Sequence, residues 1–270
     1  MVRSLVEKHK HVFLFFQESE LTSFDNRPVR SLKGSLLNRS MSVNTDGKAR
    51  GLISLWNEDL FTCKVCITGK RYIILAGELV ILKKEAAFYN IYASNEERER
   101  KQLWDFLYTT QTTFSMPWCL SGDFNAILNP SERKGGESAV GSIRSFNEFI
   151  LKAKVVDIPM IGSPFTWTNN MERDSWARLD PFLFSPTMLL WFPKLSQRGL
   201  HRALSNHNAI LVKWNVKDST KMEDKLATIE AKAVVKRLVG WIETREDKYN
   251  DGVVEESSLE EAKLEAKVVH

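Results

Sequence analysis

The sequence predicts an α+β fold, two layered sheets flanked by helices. Three observations lead there: many short apolar runs separated by turn residues, two internal stretches with helical spacing, and 270 residues of which 43% are apolar, enough for a sizeable core. Each element follows from its own residues.

Val2 to His11 reads as a short amphipathic helix, and Val12 to Phe16 as a buried strand that ends on Gln17 and Glu18. Arg27 to Arg50 has no clear period and reads as loop with one frayed helix or strand. Gly51 to Trp56, Phe61 to Thr68, Tyr72 to Gly77 and Ala87 to Ala93 then alternate with turn residues as successive strands. Ser94 followed by Glu97 is spaced as a capping box opening a helix to about Gln111, with Leu103, Phe106 and Leu107 on its inner face. Trp118 to Ser121 is the next buried strand, and Gly122 lets the backbone turn where it stops. If the chain stays extended, Asp123 and Asn125 project to one side and Phe124 to the other.

A loop with Gly135-Gly136 leads to a second helix carrying Phe146, Phe149 and Ile150, for which Ser145 and Glu148 are spaced as a capping box. Val155 to Ile158 is short and extended, Phe165 to Thr168 is a strand, and Ala177 to Phe184 is another with Asp180 inside it. A carboxylate within an apolar strand wants an explanation. Ala209 to Trp214 is the last strand, preceded at once by Ser205-Asn206-His207. The spacing predicts helices over Met222 to Ile242 and Leu259 to Val268, with an apolar stripe of Leu226, Ile229, Ala233, Leu238 and Trp241. Residues 1–217 therefore form the body, and 218–270 a helical tail or linker.

The formal net charge of +4 hides an asymmetry. Residues 218–270 carry nine basic and thirteen acidic side chains, which leaves 29 basic against 21 acidic on the body. A basic body suits a polyanionic partner such as nucleic acid. Three cysteines, Cys63, Cys66 and Cys119, imply no disulfide framework and a reducing compartment. Cys63 and Cys66 make a C-x-x-C without the second pair that a zinc knuckle needs; in a regular strand they face opposite ways, as packing residues. The apolar run at Val12 is too short for a signal peptide or a membrane span.

Glu18, Asp123 with Asn125, Asp180 and His207 each stand at, within or next to a predicted strand. Together with Gln17-Glu18-Ser19, Gly51-Leu52-Ile53 and Trp56, Ile91-Tyr92-Ala93, Gly122-Asp123-Phe124-Asn125, Gly162 through Phe165-Thr166-Trp167, Arg178-Leu179-Asp180 and Ser205-Asn206-His207, the set resembles the endonuclease/exonuclease/phosphatase (DNase I-like) superfamily. It is most similar to the endonuclease domain of plant LINE-type retrotransposons, over roughly Val2 to Trp214. That resemblance implies a four-layer α/β/β/α sandwich of two mostly antiparallel sheets. It also implies a strand bearing an asparagine ahead of the Glu18 strand. The sequence opens on the intervening helix, so a sheet short of that member is expected.

By the same resemblance, Glu18 holds Mg²⁺ (or Mn²⁺), Asp123 orients or deprotonates a water, Asn125 and Tyr92 steady a phosphate, and His207, oriented by Asp180, stabilises developing charge. Thr166, Trp167 and Arg178 join Asn125 and Tyr92 as substrate-binding residues. Asn206 stands where the family has a metal-side carboxylate, which weakens the metal site. The function implied is a Mg²⁺-dependent DNA endonuclease of retroelement origin with DNA as partner, no membrane and no obligate protein partner, placed in the nucleus or cytoplasm. Two alternatives stay open: a catalytically decayed homologue that binds nucleic acid or protein, and a phosphatase of the same superfamily.

Overall fold

In a computed structural model of the chain, residues 11–19, 37–44, 51–136, 140–169, 175–200, 205–216 and 227–235 are described. In chain order the strands are β1 (His11–Ser19), β2 (Arg39–Val43), β3 (Gly51–Trp56), β4 (Phe61–Gly69), β5 (Tyr72–Leu79), β6 (Lys84–Tyr92), β7 (Trp118–Asp123), β8 (Arg133–Lys134), β9 (Val156–Asp157), β10 (Met160–Gly162), β11 (Trp167–Thr168), β12 (Trp176–Ala177), β13 (Leu183–Phe184), β14 (Ser196–Gly199), β15 (Ile210–Val216) and β16 (Ala227–Val235). The described helices are α1 (Glu97–Phe114), α2 (Val140–Ala153) and the short α3 (Pro186–Trp191). A seven-stranded sheet runs β10-β14-β15-β16-β1-β3-β2, a six-stranded sheet runs β4-β5-β6-β7-β13-β9, and three short strands pair as β11-β12-β8.

The core between the two large sheets is aromatic. Phe13 of β1 meets Phe88 of β6 at 4.2 Å between ring centroids and Phe61 of β4 at 4.9 Å, all fully or almost fully buried. A second core lies on the other face of the six-stranded sheet. There α1 and α2 set Leu103, Leu107, Phe146 and Phe149 against Ile74, Tyr89 and Leu120. Trp104 joins them, stacked on Phe149 at 5.0 Å and on Phe124 at 5.8 Å. Pleating explains the division, since alternate residues of β5, β6 and β7 face opposite layers. Phe124 thus anchors the segment beyond β7 into the helical layer while its neighbours stay at the sheet edge.

Several expectations change. Residues 39–43, within the stretch expected as loop with one frayed helix or strand, form the edge strand β2 beside β3. Helix α1 starts at Glu97 with Glu96 as its N-cap, and Ser94 Oγ accepts from the Glu96 N–H instead of closing a capping box. It also runs on to Phe114. Helix α2 begins at Val140, so Ser145 lies inside it, donating to the Ser142 carbonyl, and Glu148 pairs with Arg144. Ala177 to Phe184 is two strands in different sheets, because the chain leaves β12 and crosses over Arg178 to Phe182 before joining β7 as β13.

A bulge between Cys63 and Val65 brings Cys63 and Cys66 against the same core, where a regular strand would have separated them. Burial pushes their thiols up to about 11 and about 12. The largest change is in the tail: Ala227 to Val235, expected within a helix, is a strand between β1 and β15, and the sheet expected to be short there is filled. The expected helices over 2–11 and 259–268 lie outside the described residues, except that His11 opens β1.

Candidate active site

The site forms where β6, β7 and the loop before β15 end together. β6 and β7 run parallel with Tyr92 opposite Asp123 and Ile91 opposite Gly122. Gly122 is inside the strand, with φ +127°, and a Cβ there would stand 2.0 Å from the Ile91 carbonyl oxygen. Glycine is required for that close approach, and the strand continues through it to Asp123.

Asp123 is fully buried and accepts the Asn125 N–H on Oδ1 at 2.9 Å. This short turn leaves Asn125 at φ +47°, so Asp123 and Asn125 are not an extended pair. The Asn125 amide Nδ2 donates to the Ala93 carbonyl at 2.8 Å, and Ala93 N–H donates to the Asp123 carbonyl at 2.8 Å. Arg100, missed by the sequence reading, fastens the same loop from α1 by donating to the carbonyls of Ser94 and Asn95 and to Ser142 Oγ. Burial lowers its pKa, against the opposing charges of Glu97, Glu96 and Asp123.

Asp180 and His207 complete the group. The Phe124 N–H donates to the Leu179 carbonyl, which ties the end of β7 to the crossover carrying Asp180. His207 reaches it from an isolated antiparallel bridge with Trp167, its ring 6.4 Å from the indole. His207 Nδ1 lies 2.8 Å from Asp180 Oδ2, and its Nε2 lies 3.9 Å from Asp123 Oδ2. One ligand atom from each of Asp123, Asp180 and His207 falls within 4.8 Å of the others, all buried. Among the described residues, Asp180 Oδ1 and His207 Nε2 are buried without a hydrogen-bond partner. Buried polar atoms left so are expensive, and a group entering from solvent would satisfy them.

The other expected site residues divide by use. Glu18 is 4% exposed at the end of β1, with φ +53°, outside the close group of three. Its neighbour Gln17 is held to the opposite sheet, donating from Nε2 to Asn90 Oδ1 at 2.5 Å; Asn90 Nδ2 in turn reaches Phe16 O, Ile53 O and Ser54 Oγ. Tyr92 is buried on its ring face under the Arg71 guanidinium, 5.4 Å from the centroid. Asn206 gives its backbone carbonyl to the Thr168 N–H.

Thr166 is fully buried and its Oγ1 accepts the Leu179 N–H at 2.9 Å, so its hydroxyl braces the Asp180 crossover. Trp167 is half-buried beside His207. Arg178 forms a bidentate pair with Asp157 at 2.5 and 2.7 Å and reaches Glu132 at 2.7 Å. Burial opposes its charge, yet Asp157 and then Glu132 outweigh it and raise its pKa. Both of its terminal guanidinium nitrogens are taken up by these acids.

No protein-family model and no curated protein matches the chain. Solved structures do. An AP endonuclease from Archaeoglobus fulgidus superposes with a TM-score of 0.58 at 14% identity, covering 80% of this chain and 93% of that one. An endonuclease/exonuclease/phosphatase family protein from Leptotrichia buccalis gives 0.53 at 15% identity, over 79% and 90%. The endonuclease domain of TRAS1, a telomere-specific non-LTR retrotransposon, gives 0.52 at 10% identity, over 77% of this chain and 99% of that domain. The chain therefore has the DNase I-like fold of the endonuclease/exonuclease/phosphatase proteins.

Proposed function

We propose that the chain is a divalent-metal-dependent phosphodiester hydrolase that cuts DNA, of the retroelement endonuclease kind. The observation that carries the reading is the buried imidazole of His207, held by Asp180 on one nitrogen and facing Asp123 with the other. With Asp180 accepting from Nδ1–H, Nε2 is the ring atom left to meet a phosphate oxygen or a water. Asp123 is the acid–base residue that orients the water and takes its proton. Tyr92 and Asn125 border the same strand ends and steady the phosphate, while Trp167 lines the approach to His207. Thr166 and Arg178 act on substrate only through the crossover they brace.

The donor chemistry suits a hard cation: Asp123 and Asp180 bring carboxylate oxygens beside His207, and Glu18 and Asn206, which stand outside that close group, are the carboxylate and the neutral amide that would complete the set. Mg²⁺ or Mn²⁺ held there would polarise the phosphoryl group and offset its developing charge. A DNA substrate in turn places the protein in the nucleus or cytoplasm. No described helix is long and apolar enough to cross a membrane.

A second reading, a homologue that binds nucleic acid or protein without cutting, is favoured by Asn206, where the resemblance expects a carboxylate. Nicking of supercoiled plasmid with Mg²⁺, with EDTA, and by His207→Ala and Glu18→Ala separates the two. The proposal expects nicking by the natural chain alone, abolished by EDTA. Equal nicking by all three proteins would be contamination, and DNA binding without nicking would establish the second reading.

A further inference from the structure

β1 and β15 do not pair with each other. β1 gives one edge to β3 and the other to β16, while β15 gives one edge to β14 and the other to β16. Glu18 is the last residue but one of the first of these strands, and His207 stands three residues ahead of the second. One inserted strand therefore sets the backbone spacing between them. β16 runs parallel to β1, from Phe13 opposite Ala231 to Gln17 opposite Val235, and antiparallel to β15, from Ile210 opposite Ala233 to Val216 opposite Ala227.

We propose that the gap between β1 and β15 is an acceptor groove for a single extended strand, filled by this chain's own residues 227–235, whose insertion sets the Glu18-to-His207 spacing. Without an occupant, two inner strand edges would lose their hydrogen-bond partners, a cost that only another strand can offset. Val216, the last residue of β15, lies opposite Ala227, the first of β16, so the occupant is the described strand that follows β15 in the chain and pairs with it in the sheet.

The segment has a local conflict. Ala227, Glu230, Ala231, Lys232 and Ala233 are strong helix formers, yet Ile229, Ala231, Ala233 and Val235 also recur at every second residue. Its strand form is dictated by the groove, which makes it the part of the sheet most readily withdrawn. The groove stands on backbone pairing alone. Its effect on catalysis rests on the phosphodiesterase reading.

The full chain carrying Lys213→Cys and Glu230→Cys tests the groove, because these residues are opposite in register and within disulfide reach. Mild oxidation is expected to give a monomer with a 213–230 link, mapped by mass spectrometry apart from the native cysteines. No link, or a link only between two copies, overturns the assignment. In a second full-length variant, Ala231→Pro, hydrogen exchange over 13–17 and 210–214 is expected to speed up at least tenfold while 87–91 stays protected. Unchanged protection in both strands also overturns it. If the proline variant fails to fold, the cross-link decides. Loss of nicking in every form, with the link formed, would sink the phosphodiesterase reading and leave the groove standing.

Discussion

His207 Nδ1 and Asp180 Oδ2 stand 2.8 Å apart with both side chains closed to solvent. In so dry a place the pair fixes which ring nitrogen carries the proton. Asp180→Asn presents an amide in place of an obligate acceptor and frees the wrong tautomer. Nicking should fall about 10²- to 10⁴-fold, and His207→Ala should fall comparably. The double variant should be no worse than the poorer single one, because the two act as a unit. Multiplicative losses in the double variant would mean that they act separately.

Arg178 tests the opposite kind of role. Its guanidinium is mostly buried against Asp157 and Glu132, and Gln197 shares Asp157. Arg178→Ala leaves two mostly buried carboxylates without their cation and should cost about 3–5 kcal/mol in urea denaturation. Correctly folded protein at low temperature should keep its apparent affinity for DNA. An unchanged urea midpoint with weakened DNA binding would restore Arg178 as a substrate contact.

Much of this fold was legible because near-continuous apolar runs such as Gly51–Trp56 and Tyr72–Leu79 are buried on both sides by layers that the same sequence supplies. What escaped was decided by tertiary contact. Ala227–Val235 is rich in helix formers, and only the open edges of β1 and β15 select its strand form. Asp180 was correctly placed near His207, but the strand thought to carry it breaks after β12 because Thr166 Oγ1 and the Phe124 N–H claim the backbone of Leu179. Arg100 gave no motif to read; its role comes from two carbonyls that the loop after β6 turns toward α1.

Asn206 sits one residue before His207, with its carbonyl fixed by Thr168. Asn206→Asp adds a negative charge without changing the side chain's shape. Under the proposed function it should tighten Mg²⁺ binding, lowering the Mg²⁺ concentration for half-maximal nicking several-fold. No shift in that midpoint would place residue 206 outside the metal site.

Asn90 is a polar link between the two large sheets, buried completely while contacting β1 and β3. Asn90→Ala strands the Gln17 amide and the partners of Nδ2, each worth about 1–3 kcal/mol if left unsatisfied. Stability should drop by at least about 2 kcal/mol, and the half-saturating Mg²⁺ concentration should rise, since Gln17 adjoins Glu18. A stability loss with unchanged Mg²⁺ dependence would limit Asn90 to holding the sheets together.

Gly122 faces the hardest constraint in the site. Its φ of +127° is rarely adopted by residues with a side chain, and any Cβ would overlap the Ile91 carbonyl at 2.0 Å. Neither neighbour can yield cheaply, because β6 and β7 are paired through Ala87 to Tyr92 and Trp118 to Asp123. Gly122→Ala should therefore destabilise by about 3 kcal/mol or more. In any surviving folded fraction, Asp123 would be displaced relative to His207. Chemical denaturation read beside nicking per folded molecule separates these effects, and an alanine variant as stable as the natural chain would show that β7 does not approach Ile91 in this way.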